Sequence, residues 1–268
     1  MNATSHPGAA EFRDDWRRGA EKVVVHYHIF KNAGTSVDAM LSRVFPSWRD
    51  WHAGVTTWPG PDDLAAELAR RPVEAISCHT LSPPAPMGWD VFPIVLLRHP
   101  LDRALSVYLH ERRCAPNTLS CHVARARDFG AYVRWCLDYP SAGGIVICNY
   151  QTLHLAAAAW RGHVYNARAG DAERDEALRR LSTLPAPGVV DRFDRFTERL
   201  AAELARWRDQ PIDLPRSAWE NRSGERTDAL EARLRDLEGQ LEKTLLQRFN
   251  DANTHDYALY ERAQTLSP

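Results

Sequence analysis

Six consecutive residues, Lys31-Asn32-Ala33-Gly34-Thr35-Ser36, have the types and order needed to hold an oxyanion. They follow KVVVHYHIF at 22–30, whose β-branched and aromatic residues suit a buried strand. They precede VDAMLSRVF, where Val37, Met40, Leu41 and Val44 recur at helical spacing. A glycine turn between strand and helix aims several backbone N–H groups at one point, and such a point binds anions. Lys31 adds a full charge at the mouth of the turn, and the Thr35 and Ser36 hydroxyls can donate to further oxygens at the helix N-terminus. A nucleotide-hydrolysing loop of the GxxxxGK[ST] type carries its lysine after the glycines, next to a hydroxyl that holds magnesium. Here lysine comes first, which argues against ordinary ATP or GTP hydrolysis.

A second anion contact is readable at Arg98. VFPIVLL at 91–97 suits a strand buried on both faces, and Pro100 opens the helix LDRALSVYLHERR, so Arg98 stands at a strand's C-terminal edge with Ser106 two turns further on. Ligands bind at that edge of open α/β sheets. An arginine fork and a hydroxyl there suit a second, separate phosphate. His79 follows the strand VEAISC at 73–78 and so reaches the same edge, where a near-neutral imidazole suits a general base. His26 and His28 alternate with apolar residues and read as satisfied, buried histidines. His52, with Trp48, Trp51 and Trp58, lies in a stretch that either stacks on a planar acceptor or packs under a loop.

These points need a scaffold. Asp62 and Asp63 start a helix that Pro72 ends. Residues 114–127 read as an exposed loop and 129–137 as a helix, and a Gly143-Gly144 turn leads into a short extended piece and another helix. Helices at 173–183 and 193–208 flank a last strand at 187–191. Leu230, Leu234, Leu237, Leu241 and Leu245 mark one C-terminal helix with its apolar face on the domain; the other use of that stripe is a coiled-coil homodimer. Strands alternating with helices imply an α/β chain with a P-loop-like three-layer fold, a central, mostly parallel sheet flanked by helices. Residues 1–21 read as a flexible tail and 22–268 as one domain.

The 34 Lys and Arg nearly balance the 35 Asp and Glu, so no global field concentrates nucleic acid or an anionic membrane, and any anion must be held locally. The five cysteines include no CxxC pair, so reduced thiols and no metal site are expected. No apolar run is long enough to insert in a membrane, and the N-terminal stretch lacks the apolar core of a signal peptide, so a cytoplasmic protein is expected.

HIFKNAGTS at 28–36 resembles the 5′-phosphosulfate loop of the sulfotransferases, often HIPKTAGTS, and LLRHPLDRALSVY at 96–108 resembles their 3′-phosphate segment, RxPxxRxxSxY. SCHTLSPP at 77–84 is similar to their strand and histidine loop, NYQTLHLA at 149–156 to NYQTRxLAG, and NDANTHDYALYERA at 250–263 to the closing NxxDxxLYxxA. The segments keep family order from about 22 to 263 and are most similar to the carbohydrate-type branch. The resemblance implies a sulfotransferase that takes a sulfuryl group from 3′-phosphoadenosine 5′-phosphosulfate (PAPS) to the hydroxyl of a small-molecule or glycan acceptor. It releases adenosine 3′,5′-bisphosphate (PAP) and uses no metal. By that resemblance residues 31–36 hold the 5′ side, Lys31 meets the leaving oxygen, Arg98 and Ser106 hold the 3′-phosphate, and His79 is the base. Asn149 and Gln151 become donors toward nucleotide or acceptor. Phe30, Asn32, His99 and Leu153 depart from the family pattern, and Leu153 in place of arginine puts a substrate contact in doubt.

Two other readings stand beside this one. A P-loop kinase would need a magnesium-binding aspartate after a strand, and none is clear; a non-catalytic nucleotide-binding module would keep the loop without the chemistry. Asn221-Arg222-Ser223 matches a glycosylation sequon, and Arg222-Ser223-Gly224 is a turn that could close over the nucleotide.

Overall fold

A computed structural model describes residues 21–51, 59–113, 118–142, 144–157, 168–215 and 229–267. Strand β1 (Glu21–Tyr27) sets the layers: Val23, Val25 and Tyr27 enter one apolar cluster and Val24 another, because successive strand side chains point to opposite faces. It pairs with β3 (Ala75–Cys78) on one side and β4 (Trp89–Ile94) on the other, and β2 (Trp48–Asp50) completes the order β2-β3-β1-β4, every pair parallel. A second, two-stranded parallel sheet joins β5 (Leu96–Leu97) to β6 (Gly188–Val189).

The helices are α1 (Gly34–Val44), α2 (Pro61–Arg70), α3 (Pro100–Arg113), α4 (Leu119–Ala126), α5 (Phe129–Asp138), α6 (Tyr150–Leu155), α7 (Asp171–Thr183), α8 (Phe193–Arg208), α9 (Leu230–Gly239), α10 (Lys243–Ala252) and α11 (Thr254–Leu266). Met40 and Leu41 of α1 and Phe196 and Leu200 of α8 cover the Val24 face. Leu64 of α2, Leu181 of α7 and Leu259 of α11 cover the other. The result is the expected α/β architecture of a parallel sheet between helical layers, and the central run Val23 to Val25 of β1 is apolar on both faces. A third cluster joins α3, α5, α9 and α10 through Val107, Tyr132, Leu237 and Phe249.

Four local expectations change. VFPIVLL is two strands: β4 follows β1 as far as the His26–Ile94 pair, then the chain moves on and pairs Leu96 and Leu97 with β6, because β1 ends in the loop after Tyr27. Pro93 is tolerated because β4 is the sheet's edge. Residues 119–126 are helical, started by Thr118 Oγ1 accepting from the Cys121 amide at 3.3 Å and anchored by buried Cys121 and Ala124. A 3-10 turn at Gly144–Val146, not an extended piece, leads toward α6. The leucine stripe is broken between Gly239 and Lys243 into α9 and α10, yet Leu237, Leu241 and Leu245 all bury in the third cluster, so its apolar face does pack on the rest of the chain.

Glu21, counted with the tail, is the first residue of β1. The rest of the tail, His52, Trp58, Cys114 and residues 221–224 lie outside the described residues. Among the described residues no helix is long and apolar enough to cross a membrane.

Candidate anion-binding site

The loop after β1, the residue after β3 and the residue after β5 meet at the carboxyl ends of their strands. The His79 Nδ1 lies 2.9 Å from the His28 carbonyl oxygen, and Arg98 Nη1 donates to the Lys31 carbonyl at 3.1 Å. Lys31, Arg98 and His79, far apart in sequence, therefore share one edge.

The loop itself is shaped by backbone that its residue types do not favour. Lys31 (φ 65°) and Ala33 (φ 59°) both adopt the left-handed region without being glycine, a conformation that costs on the order of 1 kcal/mol each. Gly34 is required for a different reason: a Cβ there would stand 2.0 Å from the His28 ring. Asn32 is buried, donating from Nδ2 to the Leu96 carbonyl at 2.8 Å and to Gln151 Oε1 at 2.7 Å. Its side chain thus faces inward and holds the loop, not an anion. Helix α1 starts at Ala33 without a side-chain cap and without an acidic residue in its first turn, so the positive end of its dipole is not neutralised locally. Thr35 is exposed at that end, whereas Ser36 is buried.

Positive charge converges on Lys31. Its ammonium is pressed below the usual lysine range, first by burial and then by repulsion from Arg98, Arg103 and Arg113. His110 is lowered as well, by burial and by Lys31. Arg98 pairs with Asp102 (Nε to Oδ2, 2.6 Å), whose other oxygen lies 3.4 Å from Arg233 Nε. Ser106 is buried in α3, two turns along from Arg98. Arg103, missed by the sequence reading, is 1% exposed and donates to the Phe30 carbonyl at 3.1 Å and the Val146 carbonyl at 2.7 Å while its guanidinium lies 4.5 Å from the Tyr150 ring centre. The second R of the RxPxxR spacing was its signal.

His79 carries a readable tautomer. A backbone carbonyl only accepts, so Nδ1 donates to His28 O, and in the neutral ring the lone pair is then on Nε2, the form a general base needs. Phe30, where the resemblance expects proline, stands edge-on to both His79 (5.9 Å between ring centres) and His110 (5.2 Å). It forms an apolar wall beside Lys31, whose Nζ lies 5.8 Å from the ring centre.

Beneath the loop, Asp38 of α1 faces His26 of β1 and His28 just beyond it, with Oδ1 at 2.7 Å from His26 Nδ1 and Oδ2 at 3.0 Å from His28 Nδ1. Burial works against ionising Asp38, but attraction to His26 and hydrogen bonds from both rings outweigh it and hold the carboxyl well below the usual range. His26 also lies 2.9 Å from Ser77 Oγ, and the His28 ring is 3.7 Å from that of His79. His26 and His28 are thus buried and partnered, as expected; Asp38 was not anticipated.

Asn149 and Gln151 turn inward. Gln151 is fully buried: Oε1 accepts from the Arg98 and Asn32 nitrogens, and Nε2 donates to the Arg98 carbonyl and to Asp256 Oδ2. Asp256 also accepts from the Gln151 and Thr152 amides and the Thr152 hydroxyl. Asn149 Oδ1 accepts from the His255 and Asp256 amides at the start of α11. The segments at 149–156 and 250–263 are therefore one buried polar network that ends on the loop and on Arg98. Trp48 and Trp51 are half-buried and pack against opposite core clusters, the packing alternative for that stretch. A cavity of about 630 Å³ lined by Arg192, Arg195, Phe196 and Arg199 shares no residue with this site.

No family model matches the chain. It is similar to an uncharacterized protein of Archaeoglobus fulgidus, 24% identical over 254 residues that cover 90% of this chain and 95% of the relative.

Proposed function

We propose that the chain is a sulfotransferase that moves the sulfuryl group of PAPS to an acceptor hydroxyl, on a small molecule or a glycan, and releases PAP. The observation that carries the reading is the contact between Arg98 and the Lys31 carbonyl, with Arg103 and Arg113 close enough to depress the Lys31 ammonium. So much positive charge, beside a helix start with neither side-chain cap nor acid, suits a ligand with more than one anionic group. The motif resemblance in the same residues supplies the kind of ligand: 5′-phosphosulfate on residues 31–36, 3′-phosphate on Arg98 and Ser106. Asn32 supports that loop from within.

In this reading the acceptor oxygen forms a bond to sulfur while the bond between sulfur and the bridging phosphate oxygen breaks. The electron pair of that bond leaves with PAP, and Lys31 meets the charge that accumulates on the departing oxygen. The acceptor proton passes to His79 Nε2, whose orientation the His28 carbonyl fixes through Nδ1. Burial depresses Lys31 first and the arginines second; a bound polyanion offsets the arginine repulsion, so binding raises the Lys31 pKa and takes up protons where Lys31 is partly neutral. The free thiols of Cys78, Cys121, Cys136 and Cys148 suit a cytoplasmic enzyme.

Incubation with radiolabelled PAPS and a broad set of carbohydrate and hydroxylated small-molecule acceptors tests the assignment. Transfer of label to a hydroxyl, lost in His79→Gln while PAP still binds, is the expected result. PAP binding without transfer to any acceptor would make the chain a nucleotide-binding module, and activity abolished by removing magnesium would favour a kinase.

A further inference from the structure

The two ends of the anion loop carry a donor set that the proposed transfer does not use. His26 and His28 project from β1 and its continuation, Asp38 projects from α1, and the loop 29–34 runs between them. Their ligand atoms all lie within 4.8 Å of one another, and the residues are buried to between 2% and 13% side-chain exposure. We propose that His26, His28 and Asp38 form a binding site for a divalent transition ion of the zinc type, which fastens β1 to α1 beneath the anion loop.

Three features support it. Two imidazoles and a carboxylate are a donor set that first-row divalent ions accept, with remaining positions left open. The separations of 2.7 and 3.0 Å between the Asp38 oxygens and the two Nδ1 atoms need to open only to about 3.4 Å, the span of neighbouring ligands at tetrahedral angles for bonds of about 2.1 Å. The electrostatics include a charge that a cation can meet: among the described residues the Asp38 carboxyl, held well below its usual range, faces the His26 and His28 rings, with His79 against His28 and buried His154 close enough to act on both. The sequence hides the site because its ligands come from an HxH in a strand and a lone aspartate ten residues later, a spacing shared with no common zinc motif.

The ion's role is positional. Gly34 rests on the His28 ring, so fixing His28 from below fixes the first turn of α1 from which the loop amides project. The sulfuryl step described above needs no contribution from it, and its existence does not depend on that reading.

The test uses the full chain, stripped with a chelator and titrated with Co²⁺ and then Zn²⁺. One equivalent of cobalt should give visible d–d absorption without a thiolate charge-transfer band, zinc should displace it, and zinc should raise the thermal midpoint. Asp38→Asn and His28→Gln should weaken zinc about a hundredfold, whereas replacing the exposed His122 by Ala should change nothing. If those variants do not fold, the spectrum of the parent chain decides alone. No stoichiometric cobalt uptake by the parent, a thiolate band that assigns the ion to cysteine, or uptake unchanged in Asp38→Asn would each overturn the site and leave a hydrogen-bonded cluster only.

Discussion

The two segments assigned to one ligand are built on opposite principles. Residues 31–36 take left-handed backbone at Lys31 and Ala33, and their shape is imposed from elsewhere: Arg98 holds the Lys31 carbonyl, Arg103 the Phe30 carbonyl, and Asn32 reaches Leu96 and Gln151. The Arg98 segment is ordinary by contrast, a strand end followed by a regular helix, with Arg98 tied to Asp102 one turn along. The loop is thus shaped by the segment it faces. In the proposed reading the arginines that gather charge for the ligand also set the backbone that would receive it, so charge and scaffold cannot be removed separately on the arginine side, whereas the Lys31 side chain has no such structural duty among the hydrogen bonds of the described residues.

That asymmetry makes predictions. Lys31→Ala should lower turnover about a thousandfold, the scale of losing one preorganised contact to developing charge, while PAP affinity falls far less; steady-state kinetics beside calorimetry would show the split, and equal losses would break the comparison. Arg98→Ala should instead weaken PAP binding by about 3 kcal/mol and disturb the loop as well, so Arg98→Lys, a point charge without the fork, should restore little. Full rescue by lysine would mean that Arg98 contributes charge alone. Gln151→Ala strands the Arg98 and Asn32 donors in a buried network and should cost about 2 kcal/mol in urea denaturation; an unchanged midpoint would show that the loop does not depend on it. Acid gives the mildest probe. Burial lowers His99 to about 4 and His154 to about 3 from 6.5. The unfolded chain therefore binds protons that the folded chain refuses, and stability falls as pH drops below about 6.5 toward those values. His99→Gln, next to Arg98, should flatten part of that fall, and an identical profile would remove His99 from it.

The sheet and its covering helices were legible because β1, β3 and the run at 91–97 each hold consecutive apolar residues and α1 and α8 keep helical periodicity. What sequence could not show was the change of partner at Val95, since one apolar run serves two sheets equally well, and α4, whose two buried residues give little periodic signal. At the site, Lys31, Arg98 and His79 were readable from their places at strand ends. The directions of Asn32, Asn149 and Gln151 were not: a short amide side chain reads alike whether it faces a ligand or a buried carbonyl, and only the packing of α6 against α11 decides. Arg103 and Asp38 were hidden for a related reason, since a buried ion inside a helix looks like a solvated one until its neighbours are placed.

Calorimetric titration of the full chain at fixed ionic strength with PAP, adenosine 5′-monophosphate and adenosine 3′-monophosphate measures directly whether two anchors grip one nucleotide. The account predicts one PAP per chain, bound at least about tenfold more tightly than either monophosphate, which is about 1.4 kcal/mol for the second anchor. Equal affinity for all three, or no binding of PAP, would contradict it.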